Sequence, residues 1–303
     1  MASVGATVDI PAMTRLPAAI AAVALPSERD LDVVFAAVDW ALEEARARGA
    51  ELVVFPECAL GGYLREPDAD EPAGPVLPPA LDPDGPELRR LIEAAGDTVV
   101  CMGYTEAGAN GPYTSAVCVS GDGVLGHHRK VHLPPAERFA YSPGEGFAAF
   151  DTPVGRLGML LCYDKLFPKA ARALALDGAQ TIACLSAWPM DRHHPARTPA
   201  LDKQVRHFDA LDIARAVENQ VVWVSTNQTG RLGALRFFGH AKVVDPDGTV
   251  HAHTGTGAGV AVARIDPDAV EVARAFIDHL GDRRPAAYGP PASGAMRQQL
   301  YSG

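Results

Sequence analysis

The sequence predicts a layered α/β domain in which sheets pack on each other and helices cover the outside. Three observations carry this. Short, nearly continuous apolar runs such as ELVVF at 51–55 and GMLLC at 158–162 read as strands buried on both faces. Segments with three- and four-residue apolar spacing lie between such runs, in two halves of similar strand-helix order. No linker interrupts the middle of the 303 residues, and 48% hydrophobic against 21% charged residues supplies enough apolar material for one large core.

Residues 1–17 show no period and are expected to form a loose arm. Residues 20–25 read as the first buried strand. Leu31, Val34, Phe35, Val38, Leu42 and Ala45 then form the stripe of an amphipathic helix, with Ser27 or Asp30 as N-cap and Gly49 as its end. Residues 51–56 are the next strand. Residues 64–96, rich in Pro, Asp and Glu, read as a long surface loop with a short helix over 87–95. Strands follow at 98–104, 114–120 and 124–128, the last two joined by the Gly121-Asp122-Gly123 turn.

In the second half, strands at 157–162 and 181–186 flank a helix over 167–176 closed by Gly178. A long helix over 200–218 is expected to bury Leu201, Val205, Phe208, Leu211, Ala214 and Val217 on one face. Strands at 221–226, 240–244 and 259–265 complete the set, with Asp245-Pro246-Asp247-Gly248 as a hairpin turn. The expected division is an N-terminal arm over 1–17, one domain over 18–282, and an extended arm over 283–303 that needs another surface to order it.

The net charge of -10 is spread along the chain, and the basic residues form no stripe interleaved with aromatics, so nucleic acid is not an expected partner. No run of about 18 apolar residues could span a bilayer, and the N-terminus lacks a basic region followed by an apolar one. The expected compartment is the cytoplasm, with no membrane partner. Five cysteines, Cys58, Cys101, Cys118, Cys162 and Cys184, form an odd set without a CxxC pair, which argues against both a disulfide framework and a structural zinc site. At least four are expected to behave as small buried hydrophobes.

Three segments carry chemistry. The first is Phe55-Pro56-Glu57 at a strand end; taken alone, Glu57 reads as the first exposed loop residue. The second is the basic cluster from His128 to Leu133, which alone reads as a solvated turn with ordinary histidines. The third is GMLLCYD at 158–164, followed by Phe167-Pro168 and a helix. Cys162 stands where an apolar strand turns into a helix, near unpaired N–H groups that lower a thiol pKa and can bind a developing oxyanion. Alone it reads as a buried structural cysteine rather than a site.

Taken together and in this order, the segments resemble the nitrilase superfamily of carbon-nitrogen hydrolases. That family carries a glutamate in a strand-end FPE, a lysine in RKxHL, and a cysteine before an aspartate or glutamate and a helix, which here are Glu57, Lys130 and Cys162. The resemblance runs from about residue 16 to 288. It includes GAELVVFPE at 49–57, the Glu137 region ending in Pro143-Gly144, FDTPVGRLGMLLCYD from Phe150, LALDGAQ from Leu174, ARAVENQ from Ala214, Asn227, and RRPAAY from Arg283. It implies a four-layer αββα sandwich, a second active-site glutamate at Glu137, and a homodimer or higher homo-oligomer whose C-terminal arms cross the partner.

The chemistry suits these residue types. A thiol attacks an amide carbonyl well as thiolate, so a carboxylate beside it can take the proton and later return it to the leaving amine. Lys130, with the N–H of Tyr163, would stabilise the tetrahedral oxygen, and a water activated by Glu57 would hydrolyse the thioester; no metal or organic cofactor is required. Tyr163-Asp164 after the cysteine resembles the amidase branch, so a small-molecule amide is the expected substrate, ahead of an N-carbamoyl amine and then a nitrile. A Cys-His thiol protease and a catalytically silent binding module are the rivals from other classes. Tyr63, Tyr163 and Trp188 are the candidate substrate-pocket residues. The His127-His128 and His193-His194 pairs lack metal-ligand spacing, so no metal site is expected. Lys169 departs from the family's glutamate, removing an ion pair that would otherwise form with Arg172.

Overall fold

The structure, a computed structural model, describes residues 15–67, 75–194 and 196–288; most of both expected arms and the middle of the 64–96 loop lie outside the described residues. The chain runs β1 (Ala19–Pro26), α1 (Leu31–Ala47), β2 (Leu52–Val54), α2 (Pro86–Ala95), β3 (Val99–Glu106), β4 (Tyr113–Ser120), β5 (Gly123–Arg129), β6 (Phe150–Thr152) and β7 (Gly155–Leu161). It continues through α3 (Pro168–Leu176), β8 (Thr181–Leu185), α4 (Lys203–Asn219), β9 (Val222–Ser225), β10 (Asn227–Leu232), β11 (Leu235–Phe238), β12 (Lys242–Val244), β13 (Val250–His253), β14 (Gly259–Arg264) and α5 (Ala269–Phe276).

Among the described residues these strands form two sheets, one in the order β11-β10-β1-β2-β3-β4-β5 with β14 also paired to β1, the other in the order β13-β12-β9-β8-β7-β6. Side-chain alternation builds the layers. In β1, Ala21, Val23 and Leu25 face α1 and α2, whereas Ile20, Ala22 and Ala24 face the second sheet. In β7, Leu157, Met159 and Leu161 meet them across the middle of the molecule, and Leu160 turns outward with Ile182 and Trp223 to pack on α3 and α4. The result is the helix-sheet-sheet-helix sandwich expected. Both central strand groups, β1-β2-β3 and β7-β8-β9, hydrogen-bond as buried parallel runs.

Local signals account for the ends of α1: the Asp30 carboxylate accepts from the backbone of Asp32 and Val33, and Gly49 sits at φ +79° just past the helix. Several expectations are corrected. The strands at 98–104 and 124–128 extend to Glu106 and Arg129, and the strand at 157–162 ends at Leu161, leaving Cys162 to open a 3-10 helix, Cys162–Leu166. Strands β6, β10, β11 and β13 and helix α5 had no expectation. The long helix begins at Lys203 and buries Val205, Phe208, Asp212, Arg215, Ala216 and Asn219. Leu201 is instead 65% exposed, because it falls in the 3-10 helix Pro199–Leu201 ahead of α4 rather than on the helix's buried face. Leu16 is buried in the inter-sheet core, so the expected loose arm is already packed there.

Candidate active site

In both sheets the chain leaves the carboxyl ends of the parallel strands at the same edge, the place where α/β sheets open a crevice. Glu57 follows β2, Cys162 follows β7, and Ala187 and Trp188 follow β8. Hydrogen bonds close this end: Thr226 Oγ1 donates to the Phe55 carbonyl at 3.0 Å and, within the first sheet, Gln228 Nε2 of β10 donates to the Glu57 carbonyl at 2.9 Å. Gly103 in β3 permits the approach, since a Cβ there would lie 2.6 Å from both Cys58 N and Glu57 Cα.

Lys130 leaves β5 and is held by its N–H on the Thr114 carbonyl and its own carbonyl on the Gly144 N–H. Its ammonium is fully buried and donates to Glu57 Oε1 at 2.7 Å and to Glu137 Oε1 at 2.8 Å. Glu137 Oε2 also lies 2.8 Å from that nitrogen, as an ion contact without an aligned hydrogen bond. Tyr63 Oη donates to Glu137 Oε1 at 2.5 Å, and the Ala187 N–H donates to Glu57 Oε2 at 2.8 Å. One buried cation is thus bracketed by two buried carboxylates.

These surroundings set the protonation states. Burial pushes the Glu57 carboxyl up; Lys130 pulls it back and Glu137 pushes further, leaving it at about 7. Burial alone would lower the Lys130 ammonium, but Glu137 and Glu57 outweigh it, so its pKa stands well above the usual lysine value. The Cys162 thiol is raised, first by burial and then by Glu57, against the opposing effect of Lys130. Cys162 is therefore a protonated thiol at neutral pH, which corrects the expectation of a thiol pKa lowered by its turn.

Cys162 takes φ +42°, a left-handed conformation rare for a residue with a Cβ and costing on the order of 1–3 kcal/mol. Asp164 holds that turn. Its Oδ1 accepts from the His132 N–H and meets His132 Nδ1, both at 2.8 Å, while Oδ2 lies 3.5 Å from His128 Nε2. The histidines read as ordinary in the sequence thus tie the Cys162 turn to the Lys130 segment. The Tyr163 N–H lies in the first turn of the 3-10 helix, where N–H groups lack an intrahelical acceptor.

Cys162, Tyr63, Tyr163 and Trp188 all line one cavity of about 420 Å³, together with Gln204 and Leu235. Glu57, Lys130 and Glu137 lie behind it, 0–1% exposed. Trp188 is fixed from three sides: its N–H donates to Asn227 Oδ1, its carbonyl accepts from Asn227 Nδ2, and its indole N–H donates to Gln204 Oε1. Sequence reasoning used Asp164 only as a family mark and not as the anchor of the turn, and it missed Gln204 and Tyr63's contact with Glu137. Arg172, expected to lose an ion pair to Lys169, donates to the carbonyls of Glu218 and His279.

Among the described residues, one group of possible metal ligands, Asp209, His240 and His253, brings its donor atoms within 4.8 Å of one another. It was not among the histidine pairs weighed in the sequence. Lys242 Nζ already lies 2.7 Å from Asp209 Oδ1, a positive charge that opposes a cation there.

Residues 19–275 match the carbon-nitrogen hydrolase family. The chain belongs to that family, and its fold is that of the nitrilase superfamily. It is 33% identical to an (R)-stereoselective amidase of Pseudomonas sp over 241 residues, covering 78% of this chain and 81% of that protein. It is also 33% identical to a nitrilase of Pyrococcus abyssi, over 80% of this chain and 86% of the relative. A carbon-nitrogen hydrolase from Helicobacter pylori G27 has the same fold, with a TM-score of 0.75 at 23% identity over 90% of this chain and 97% of that one.

Proposed function

We propose that this carbon-nitrogen hydrolase cleaves a small amide to a carboxylic acid and ammonia or an amine, through a thioester on Cys162. One observation carries the reading: the only side chain of the buried Glu57–Lys130–Glu137–Cys162 group that opens on the cavity is the thiol. Glu57 takes the thiol proton as Sγ attacks the amide carbon, and gives it to the nitrogen as the C–N bond breaks. A water then attacks the thioester, loses its proton to Glu57, and the carboxyl returns that proton to Sγ. A group balanced near pH 7 serves as both base and acid in this cycle. Lys130, held cationic, and the Tyr163 N–H stabilise the tetrahedral oxygen. Glu137, bound to Lys130 and Tyr63, keeps the ammonium in place.

The cavity walls formed by Trp188, Leu235 and Met190 suit an apolar acyl group, which favours an amide over an N-carbamoyl amine, whose acyl group is the polar carbamoyl. The likeness to an (R)-stereoselective amidase supports the same choice. Ammonia release from a panel of small amides, N-carbamoyl amines and nitriles tests it. Amides with apolar acyl groups should turn over fastest; preference for carbamoyl amines, read by carbon dioxide release, would replace the reading.

The proposal includes a cytoplasmic homo-oligomer. All five cysteines are unpaired and buried, as in a reducing compartment, and among the described residues no helix is long and apolar enough to cross a membrane. Val272, Phe276 and Ile277 are 63%, 85% and 49% exposed at the end of α5, an apolar surface suited to a second copy. Light scattering at micromolar concentration should give at least a dimer, and a monomer mass would contradict it.

A further inference from the structure

A second buried charge network lies outside the group just described. Lys165 and Asp212 are fully buried, and Lys242 nearly so. Lys165 Nζ lies 2.7 Å from Asp212 Oδ1, Lys242 Nζ 2.9 Å from Asp212 Oδ2, and the Trp223 indole N–H donates to Asp212 Oδ1 at 2.9 Å. Both ammonium groups rest on the Phe208 ring, at 3.3 and 4.4 Å from its centroid. Burying three charges costs several kcal/mol each before pairing, and an apolar set of similar volume would often hold as well. The two lysines share Asp212 and are alike in burial, but Lys242 also lies 2.7 Å from Asp209 Oδ1, and the two differ in position. Lys242 belongs to β12, whereas Lys165 is three residues beyond Cys162 in the same 3-10 helix.

Lys165 is tied to α4 twice. Its side chain reaches Asp212, and its carbonyl accepts from Arg215 Nε at 3.0 Å, one helical turn further on. The opposite side of the turn is held by Asp164 through His128 and His132. A left-handed cysteine persists only where its surroundings fix it, and these two attachments are what fix it here. The Lys165 ammonium also sits 5.2 Å from the centroid of Trp188, the cavity wall, whose ring meets Phe208 edge-on at 5.8 Å.

We propose that Lys165 is a positioning residue: anchored on Asp212, it clamps the Cys162 turn to α4 and sets the thiol's place against Glu57 and the cavity. This rests on Cys162 being the nucleophile. Lys242 shares the carboxylate but not the turn, so it contributes to stability alone.

The test compares Lys165→Met with Lys242→Met in the full chain, measuring kcat, KM and thermal midpoint on the best amide of the panel. Both variants lose a contact to Asp212, and Lys242→Met also loses the one to Asp209, so a merely structural role predicts losses in Lys242→Met at least as large as in Lys165→Met. Positioning predicts that Lys165→Met lowers kcat at least about tenfold, with KM changed less than about twofold, because an ångström of misplacement at a reacting atom costs up to about a hundredfold. Lys242→Met should lower the midpoint and keep kcat within about twofold. A folded Lys165→Met with near-normal kcat, or equal kcat losses in the two variants, overturns the proposal. If Lys165→Met does not fold, Lys165→Gln, which keeps a donor toward Asp212 without the charge, is measured under the same criteria. Cys162→Ala separates the two levels: turnover surviving in that variant refutes the nucleophile, whereas an inactive Cys162→Ala beside a normal Lys165→Met refutes only the clamp.

Discussion

Gly103→Ala tests how tightly Glu57 must be placed. The added methyl would lie 2.6 Å from Cys58 N and Glu57 Cα and 2.7 Å from the Pro56 carbonyl, all backbone atoms that cannot rotate aside. Ordinary contact begins at 3.4 Å, so the Glu57 segment must retreat by about 0.8 Å. The Lys130–Glu57 contact is 2.7 Å, and a shift of that size carries it to the limit of a hydrogen bond. Overpacking of this kind costs about 1–3 kcal/mol of stability, and a misplacement near 1 Å at the proton carrier costs about a hundredfold in rate. We therefore expect kcat/KM to fall about a hundredfold while the protein still folds with a lowered midpoint. Gly257→Ala, where the Cβ would meet nothing within 4 Å, is the control and should behave as wild type. Activity within about twofold in folded Gly103→Ala would refute the claim that this approach sets the site.

The remaining predictions concern charge and sulfur. Because the Glu57 carboxyl stands at about 7 and must be ionised to accept the thiol proton, kcat/KM should rise with pH through about 7; a rise centred near 4.5 would mean that burial does not govern it. Glu57→Gln should acylate slowly at neutral pH and regain rate as alkali ionises Cys162, while Lys130→Ala should not; parallel pH profiles from stopped-flow acylation would make the two a single unit. For Asp164, burial alone would raise the carboxyl, but hydrogen bonds from His128 and His132 hold it at about 2, below the ordinary 3.8. Its contribution, about 2 kcal/mol, is present above pH 3.8 and is lost as pH falls through about 2, so Asp164→Asn should be less stable at neutral pH and flatter in acid unfolding curves.

The parts of this molecule written in local pattern were legible in the sequence. Asp30 and Gly49 bound α1 because caps act on their own helix, and 51–55 and 157–161 announce buried strands because both faces are apolar. Glu57 and Cys162 follow such strands, and Lys130 and Glu137, which do not, could be placed from chain order and family resemblance. What stayed hidden depends on partners far apart in the chain. Asp212 lies on the buried face of α4, against the apolar period, because Lys165 supplies a counter-charge 47 residues away, and Arg215 lies there because the Lys165 carbonyl and the Glu218 carboxylate accept from its guanidinium. The Tyr63 contact to Glu137 spans 74 residues, and no spacing encodes it. Strand β10, with Leu232 its only large apolar residue, is held by β1 and β11 rather than by its own pattern.

The most direct test of the account is intact-mass analysis of protein quenched in acid during turnover of the best amide, followed by peptide mapping. The account predicts one adduct with the mass of the acyl group, on Cys162 and cleaved by hydroxylamine, absent from Cys162→Ala and present when Cys58, Cys101, Cys118 and Cys184 are each replaced by Ala. Turnover by Cys162→Ala, or an acyl group mapped to any other residue, would contradict it.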